Sequence, residues 1–267
     1  GAGYGLVAQG EYDAALKLMA EAIAASEQAC CDLLRAYATR VQVIALLYTG
    51  AFDEAEDAVR WMTSTASAFD DKLLLGQALH LLGLTELTLG RPKRARTPLL
   101  RSIEAWRDVG IRESYGGTLC VLGHVELALD NPSAAEHYFG EAYAGGWHAG
   151  SLYGRARVAL ARGDNEGAQA LCLRALARSG LWAETKAWVL LCWAQAAALL
   201  GEPERAAEAY GCLLAWHGTP YRAREIARRL NTELTPRLDA ESLAAATARG
   251  SARPADEVIA KIVAAGS

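Results

Sequence analysis

One short pattern recurs along the chain and constrains everything else. A small turn residue is followed five positions later by an alanine, and four positions after that by an apolar residue. The copies read Gly10…Ala15…Met19, Gly50…Ala55…Val59, Gly90…Ala95…Leu99, Asp130…Ala135…Phe139, Gly163…Ala168…Cys172 and Gly201…Ala206…Tyr210. Successive alanines lie 40, 40, 40, 33 and 38 residues apart. A recurrence of roughly 20–50 residues marks stacked supersecondary units, each burying its face against its neighbours. Such a stack accommodates 267 residues without one large central core.

Apolar residues make up 52% of the chain, many of them alanine and leucine, with only three phenylalanines, a mixture that favours closely packed helices over sheets. The apolar spacing predicts six helical hairpins, each an A helix, a turn and a B helix. The first is shortened, with the tail of a helix at Gly3–Gln9 followed by Ala14–Ser26. The others are Cys30–Tyr48 with Phe52–Ser64, Lys72–Leu89 with Pro92–Val109, Glu113–Leu129 with Pro132–Ala144, Ser151–Arg162 with Asn165–Ser179, and Trp182–Leu200 with Pro203–His217. Pro92, Pro132 and Pro203 each stand three residues before the key alanine, where a helix tolerates a missing N–H. Pro98, well inside its helix, predicts a kink. The repeats are expected over residues 1–220. Residues 221–267 are expected to form two or three capping helices, at Arg222–Glu233, Asp239–Ala248 and Asp256–Ala264, which cover the exposed face of the last repeat. The opening Gly-Ala-Gly and closing Gly-Ser suggest a piece cut from a longer protein, and the shortened first hairpin suggests that this protein continues upstream.

A formal net charge of −4 argues against general binding to phosphate backbones. No apolar run is long enough for a membrane span, and no signal peptide is visible. Cys30, Cys31, Cys120, Cys172, Cys192 and Cys212 show neither a CxxC pair nor zinc spacing, so reduced thiols in a cytoplasmic protein are expected. The absence of a Gly-Lys dipeptide excludes a Walker A loop, and there is no HExxH, GxSxG or EF-hand motif. No catalytic residue, metal site or cofactor is therefore expected. Arg222, Arg224, Arg228 and Arg229 are the one candidate recognition helix for DNA, and a solvated helix face is the simpler reading of them.

The hairpin resembles the tetratricopeptide repeat. Leu82-Gly83 and Leu122-Gly123 match the Leu-Gly of its A helix, and Gly10-Glu11-Tyr12-Asp13-Ala14-Ala15 and Asn131-Pro132-Ser133-Ala134-Ala135 match the opening of its B helix. A small residue recurs in the A helix as Val43, Gly83, Gly123, Ala156 and Ala194, where two helices are expected to cross closely. The resemblance covers roughly residues 3–217 and implies an all-α fold, a right-handed superhelical solenoid of such hairpins with a C-terminal helical cap. A narrower resemblance is to the sensor region of bacterial STAND-type ATPases, including LuxR-family and MalT-like regulators. It rests on the repeat length near 40, on Leu200-Gly201-Glu202-Pro203-Glu204-Arg205-Ala206-Ala207, and on Leu238-Asp239-Ala240-Glu241-Ser242-Leu243 with Asp256-Glu257-Val258-Ile259. It implies a non-catalytic sensor domain that binds a protein or peptide partner, a small-molecule inducer, or both, with an ATPase domain in the same parent chain. This fragment would make no direct contact with nucleic acid or membrane. A free-standing scaffold for protein–protein interactions is the alternative, and a helical enzyme using His124 or Cys120 is a third reading.

The tetratricopeptide resemblance also implies that A-helix residues at fixed distances from the turn line a concave groove. They are Tyr37, Arg40, Ile44 and Leu47; Gln77, His80, Leu84 and Leu87; Cys120, His124 and Leu127; Tyr153 and Arg157; and Trp188 and Gln195. Apolar walls with a few polar tips are the composition a peptide or ligand groove needs; ordinary helix packing is the alternative for each. His80, His124 and Cys120 invite a metal or pH-sensitive site, but the two histidines stand at different positions in the repeat, which favours a structural role. Glu86 and Glu126 hold one repeat position and either pair with a neighbouring arginine or face a ligand. Trp147, in a glycine-flanked connection, either contacts a partner or folds onto its own repeat.

Overall fold

The small turn residue of the pattern is small because the backbone becomes left-handed there. Gly10, Gly50, Gly90, Gly163 and Gly201 have φ between 74° and 92°, and Asp130 takes the same place at 62°. In all six turns the next residue donates its N–H to a carbonyl five residues earlier, as Arg91 does to Glu86 at 2.8 Å and Asn131 to Glu126 at 2.9 Å. This bond satisfies a carbonyl that the helix end would otherwise leave open. A residue with positive φ at this place stops the A helix and turns the chain back along itself.

The computed structural model describes residues 1–110 and 112–266, and the side chains of these except residues 112–114. Among the described residues there are fifteen helices and no strand. They are α1 (Ala2–Gln9), α2 (Tyr12–Gln28), α3 (Asp32–Thr49), α4 (Phe52–Ala68), α5 (Lys72–Thr88), α6 (Pro92–Val109), α7 (Arg112–Ala128), α8 (Pro132–Ala144), α9 (His148–Ala161), α10 (Asn165–Leu176), α11 (Ala183–Leu199), α12 (Pro203–Ala215), α13 (Tyr221–Thr232), α14 (Ala240–Ser251) and α15 (Ala255–Ala265). Odd-numbered helices up to α11 are A helices, and even-numbered ones up to α12 are B helices. Pro92, Pro132 and Pro203 open α6, α8 and α12 as the spacing predicts. Pro98 lies within α6, which continues as one helix to Val109.

The chain divides into two compact units, Gly1–Ser151 and Leu152–Ser267. In the first, each helix from α1 to α8 packs on the next in sequence, and α1, α3, α5 and α7 pack successively on one another. The recurring alanines explain how the helices approach: Ala15, Ala55, Ala95 and Ala135 are fully buried, as are Val59, Leu99 and Phe139 one turn later. Opposite them the A helix must give way. A Cβ on Gly83 would lie 2.4 Å from Leu99 Cγ, and one on Gly123 would lie 2.6 Å from Phe139 Cε1. The Leu-Gly pairs are therefore sockets for the B-helix knob of the same hairpin.

Ion pairs and hydrogen bonds between hairpins follow the repeat as well. The residue after the key alanine reaches the next hairpin at or just before its turn. Glu56 accepts from Arg91 at 3.0 Å, Glu126 accepts from Arg96 at 2.8 Å, and in the second unit Gln169 donates to Glu202 at 3.2 Å. Glu126 is almost wholly buried, and Asn131 also donates to it.

In the second unit α10, α11 and α12 pack in sequence, α13 packs on α11 and α12, α14 on α12, and α15 on α10 and α12. The α12–α14 crossing is backbone against backbone. A Cβ on Gly211 would lie 2.1 Å from the Thr247 oxygen, and one on Gly250 would lie 1.8 Å from the Glu208 oxygen. Ser251 Oγ donates to the Gly211 carbonyl at 3.1 Å. Glu208, a buried acid on α12, accepts from Arg253 at 3.0 Å and from Lys261 at 2.8 Å, joining the tail to the last hairpin.

Candidate functional site

The residues expected to line a groove fall into two sets, one in each unit. In the first unit Tyr37 and Arg40 stand on α3, Gln77 and His80 on α5, and Cys120 and His124 on α7. All are half-buried except Cys120, which is buried. Tyr37 donates from its hydroxyl to Asp71 at 3.1 Å, and Asp71 in turn caps α5 by accepting from the Leu74 N–H at 2.9 Å. The Arg40 guanidinium lies 4.5 Å above the Tyr4 ring, a cation–π contact between α3 and α1. Its Nε is buried without a hydrogen-bond partner, and so is Gln77 Oε1 on the neighbouring A helix.

Half-buried His80 reaches into a buried polar knot that joins three helices. Its Nδ1 lies 3.1 Å from Thr118 Oγ1 on α7, which also accepts from the Trp106 indole N–H at 3.2 Å. Ser102 Oγ, on α6 with Trp106, donates to the Gly76 carbonyl of α5 at 2.8 Å. Desolvation pushes the His80 pKa down to about 4, so the ring is neutral near pH 7. His124 turns toward its own hairpin, edge-on to Phe139 with ring centroids 4.9 Å apart. The two histidines thus stand in different surroundings, and among the described residues no three His, Cys, Asp or Glu side chains are grouped to hold a metal.

In the second unit Tyr153 on α9 and Trp188 on α11 stack at 6.4 Å with 29° between their planes, and Arg157 lies 6.0 Å over the Tyr153 ring. Gln195 is half-buried further along α11. Burial raises the Tyr153 hydroxyl above its ordinary value, with the Arg157 charge acting the other way. Tyr153 stands ten residues before its turn residue and Trp188 thirteen before the next. The same relation joins Cys120 and Gly150, where a Cβ on the glycine would lie 3.4 Å from the sulfur. These two positions therefore include the seams between successive A helices. Arg40 and Gln77 occupy the equivalent places in the second and third hairpins.

Glu184, a residue the sequence did not single out, lies in the first turn of α11, four residues before Trp188. Desolvation raises its carboxyl to about 7, with a hydrogen bond from Thr185 Oγ1 at 3.2 Å opposing the shift. Only its acidic type and position near a helix start are visible in the sequence, and both suit an exposed capping acid equally well.

Glu126 pairs with Arg96, and Glu86 lies 3.7 Å from Arg91, an ion pair that leaves its buried Oε2 without a hydrogen bond. Trp147 is 42% exposed, yet its indole lies on the glycine face of α7; a Cβ on Gly116 would meet Trp147 Cδ1 at 2.0 Å. Of the α13 arginines, Arg224 donates to the Trp216 carbonyl at 3.0 Å, Arg228 pairs with Glu225, and Arg229 lies 3.6 Å from Glu233. Cys120, Cys172, Cys192 and Cys212 are buried and Cys30 is exposed, none of these five in a disulfide. No described helix is long and apolar enough to cross a membrane.

Fold and site together define a helical-hairpin repeat protein, a class whose stacked faces serve as binding surfaces. Among solved structures the chain is similar to the crystal structure of BtubC (BKLC) from P. vanneervenii, with a TM-score of 0.54 and 17% identity over 82% of this chain and 92% of that one. At that identity the likeness concerns the fold alone. No family model matches the chain, and no curated protein matches it.

Proposed function

We propose that the chain is a non-catalytic interaction domain that holds a protein or peptide partner against its A helices. The observation that carries this reading is the pair of orphaned polar atoms on neighbouring A helices, Arg40 Nε on α3 and Gln77 Oε1 on α5. One is a donor and the other an acceptor, and a buried polar atom without a partner costs about 1–3 kcal/mol. An extended peptide carries an N–H and a C=O at every residue and satisfies both. The fold supports the reading at the level of class only.

In its finer form the proposal is the sensor domain of a bacterial STAND-type ATPase or LuxR-like regulator, with residues 1–220 as tetratricopeptide-like repeats and residues 221–267 as their cap. This form rests on the sequence resemblance. A partner bound to the A-helix face acts on such a parent only insofar as it binds the resting and active states with different affinity.

The test begins with peptides selected from a random library on the immobilised wild-type chain. Their affinities are then measured for Arg40→Ala and Gln77→Ala. The reading expects losses of at least fivefold with melting temperatures that do not fall; unchanged affinities for both variants remove the A-helix face as the site. The parent is decided separately by the gene: a P-loop ATPase in the same reading frame supports the sensor, and a frame without one supports the free-standing scaffold.

A further inference from the structure

We propose a second interaction surface, on the outer face of α6, that takes a short acidic segment of a partner protein. Its core is Lys93, Arg94 and Arg101. All three are exposed and have no ion-pair partner among the described residues, whereas Arg91 and Arg96 beside them are committed to Glu56, Glu86 and Glu126. Leu100, 39% exposed, stands among these cations and adds an apolar contact.

The repeat does not require these charges. Forty residues earlier the places of Lys93, Arg94 and Arg101 hold Asp53, Glu54 and Trp61, and forty residues later they hold Ser133, Ala134 and Glu141. Three hairpins of one architecture thus carry mainly acids, only bases and mainly neutral residues at the same positions. Hairpin packing accordingly leaves the choice open. The bases are also the less stable choice: the first turn of α6 contains no acid, while that of α4 carries Asp53 and Glu54, the sign a helix start favours. Charge kept against local stability is characteristic of a functional surface.

Two features define the partner. Exposed cations that hold no acid of their own complement carboxylates, and such pairing steers association and weakens with salt. The surface is also short. One hairpin away, α4 presents exposed Asp53, Glu54 and Asp57, and a net charge of −4 surrounds both patches. A polyanion long enough to run from B helix to B helix meets that acidic neighbour, whereas a peptide lying along α6 does not. This favours a short acidic peptide over a nucleic acid strand.

The experiment uses the intact 267-residue chain and a fluorescein-labelled octapeptide of alternating glutamate and aspartate, read by anisotropy at 20 and 200 mM salt. A poly-dT oligonucleotide of equal charge is the comparison probe. The charge-reversed variant is Lys93→Glu/Arg94→Glu/Arg101→Glu. Its control is Arg162→Glu/Arg174→Glu/Arg178→Glu, which changes the net charge equally at exposed arginines of the second unit. The proposal expects peptide binding at 20 mM salt that weakens at least tenfold at 200 mM. It expects a loss of at least tenfold in the first variant and less than twofold in the control, with melting temperatures of both variants within a few degrees of wild type. If the first variant melts early, the single change Arg94→Gln must still weaken binding at least twofold. Absence of binding at 20 mM salt, equal losses in the two triple variants, or tighter binding of the oligonucleotide than of the peptide each overturns it.

Discussion

Gly250 on α14 lies directly against Glu208 on α12: a Cβ added to the glycine would sit 1.8 Å from the Glu208 carbonyl oxygen. The obstacle is backbone, which cannot rotate away as a side chain does. Gly250→Ala must therefore push the two helices apart and disturb the Glu208 pairs with Arg253 and Lys261. The expected loss is about 3 kcal/mol, the upper end of ordinary overpacking, measured by urea unfolding. Ser251→Ala, which removes a hydroxyl shared between the Gly211 and Thr247 carbonyls, should cost well under half of that.

Arg96 is the cation that faces the buried carboxylate of Glu126. Arg96→Met leaves that carboxylate with Asn131 alone and should lower stability by about 1–3 kcal/mol. Adding Glu126→Gln to Arg96→Met should restore part of the loss, because a neutral amide tolerates burial better than an unpaired charge. A double-mutant cycle in urea checks this, and strictly additive losses would count against the pairing.

The acid limb of stability should carry the signature of His80. Its folded pKa, about 4, lies below the ordinary 6.5, so the unfolded chain takes up a proton first as pH falls. The contribution is intact above about pH 6.5 and is lost between 6.5 and 4, amounting to about 3 kcal/mol at most. Melting curves across this range should show a smaller decline in His80→Gln than in wild type.

Glu184 should act with the opposite slope. Its folded pKa, about 7, lies above the ordinary 4.5, so the folded chain holds the proton longer. Stability should fall as pH rises from about 4.5 to 7, by about 1–3 kcal/mol in total. Glu184→Gln should therefore melt higher than wild type at pH 8 and equally at pH 4, a difference that scanning calorimetry at the two values resolves.

The hairpins were legible to within a few residues, and α6 and α8 to the residue, because the signals that define them are local. An apolar stripe at the helical period, a proline at a helix start and a turn residue at positive φ all act within one or two turns of the chain. The Leu-Gly pairs of α5 and α7 likewise announced a close crossing, and Gly83 against Leu99 and Gly123 against Phe139 realise it within single hairpins. The groove residues were only half legible. Their place in the repeat was readable, but whether a given side chain meets the next A helix, as Tyr153 meets Trp188, or turns to its own hairpin, as His124 turns to Phe139, was not.

Repetition in the sequence by itself determined the helices, their pairing and the small residues at their crossings, because 3.6-residue periodicity and turn stereochemistry are short-range. Tertiary structure alone decided that Gly211 and Gly250 bring α12 and α14 into backbone contact, that Trp147 rests on Gly116 and Gly117, that Thr118 gathers His80 and Trp106, and that Glu184 loses part of its water. Each of these depends on how far one helix rotates and how closely it approaches another many residues away. No local rule along the chain carries that information.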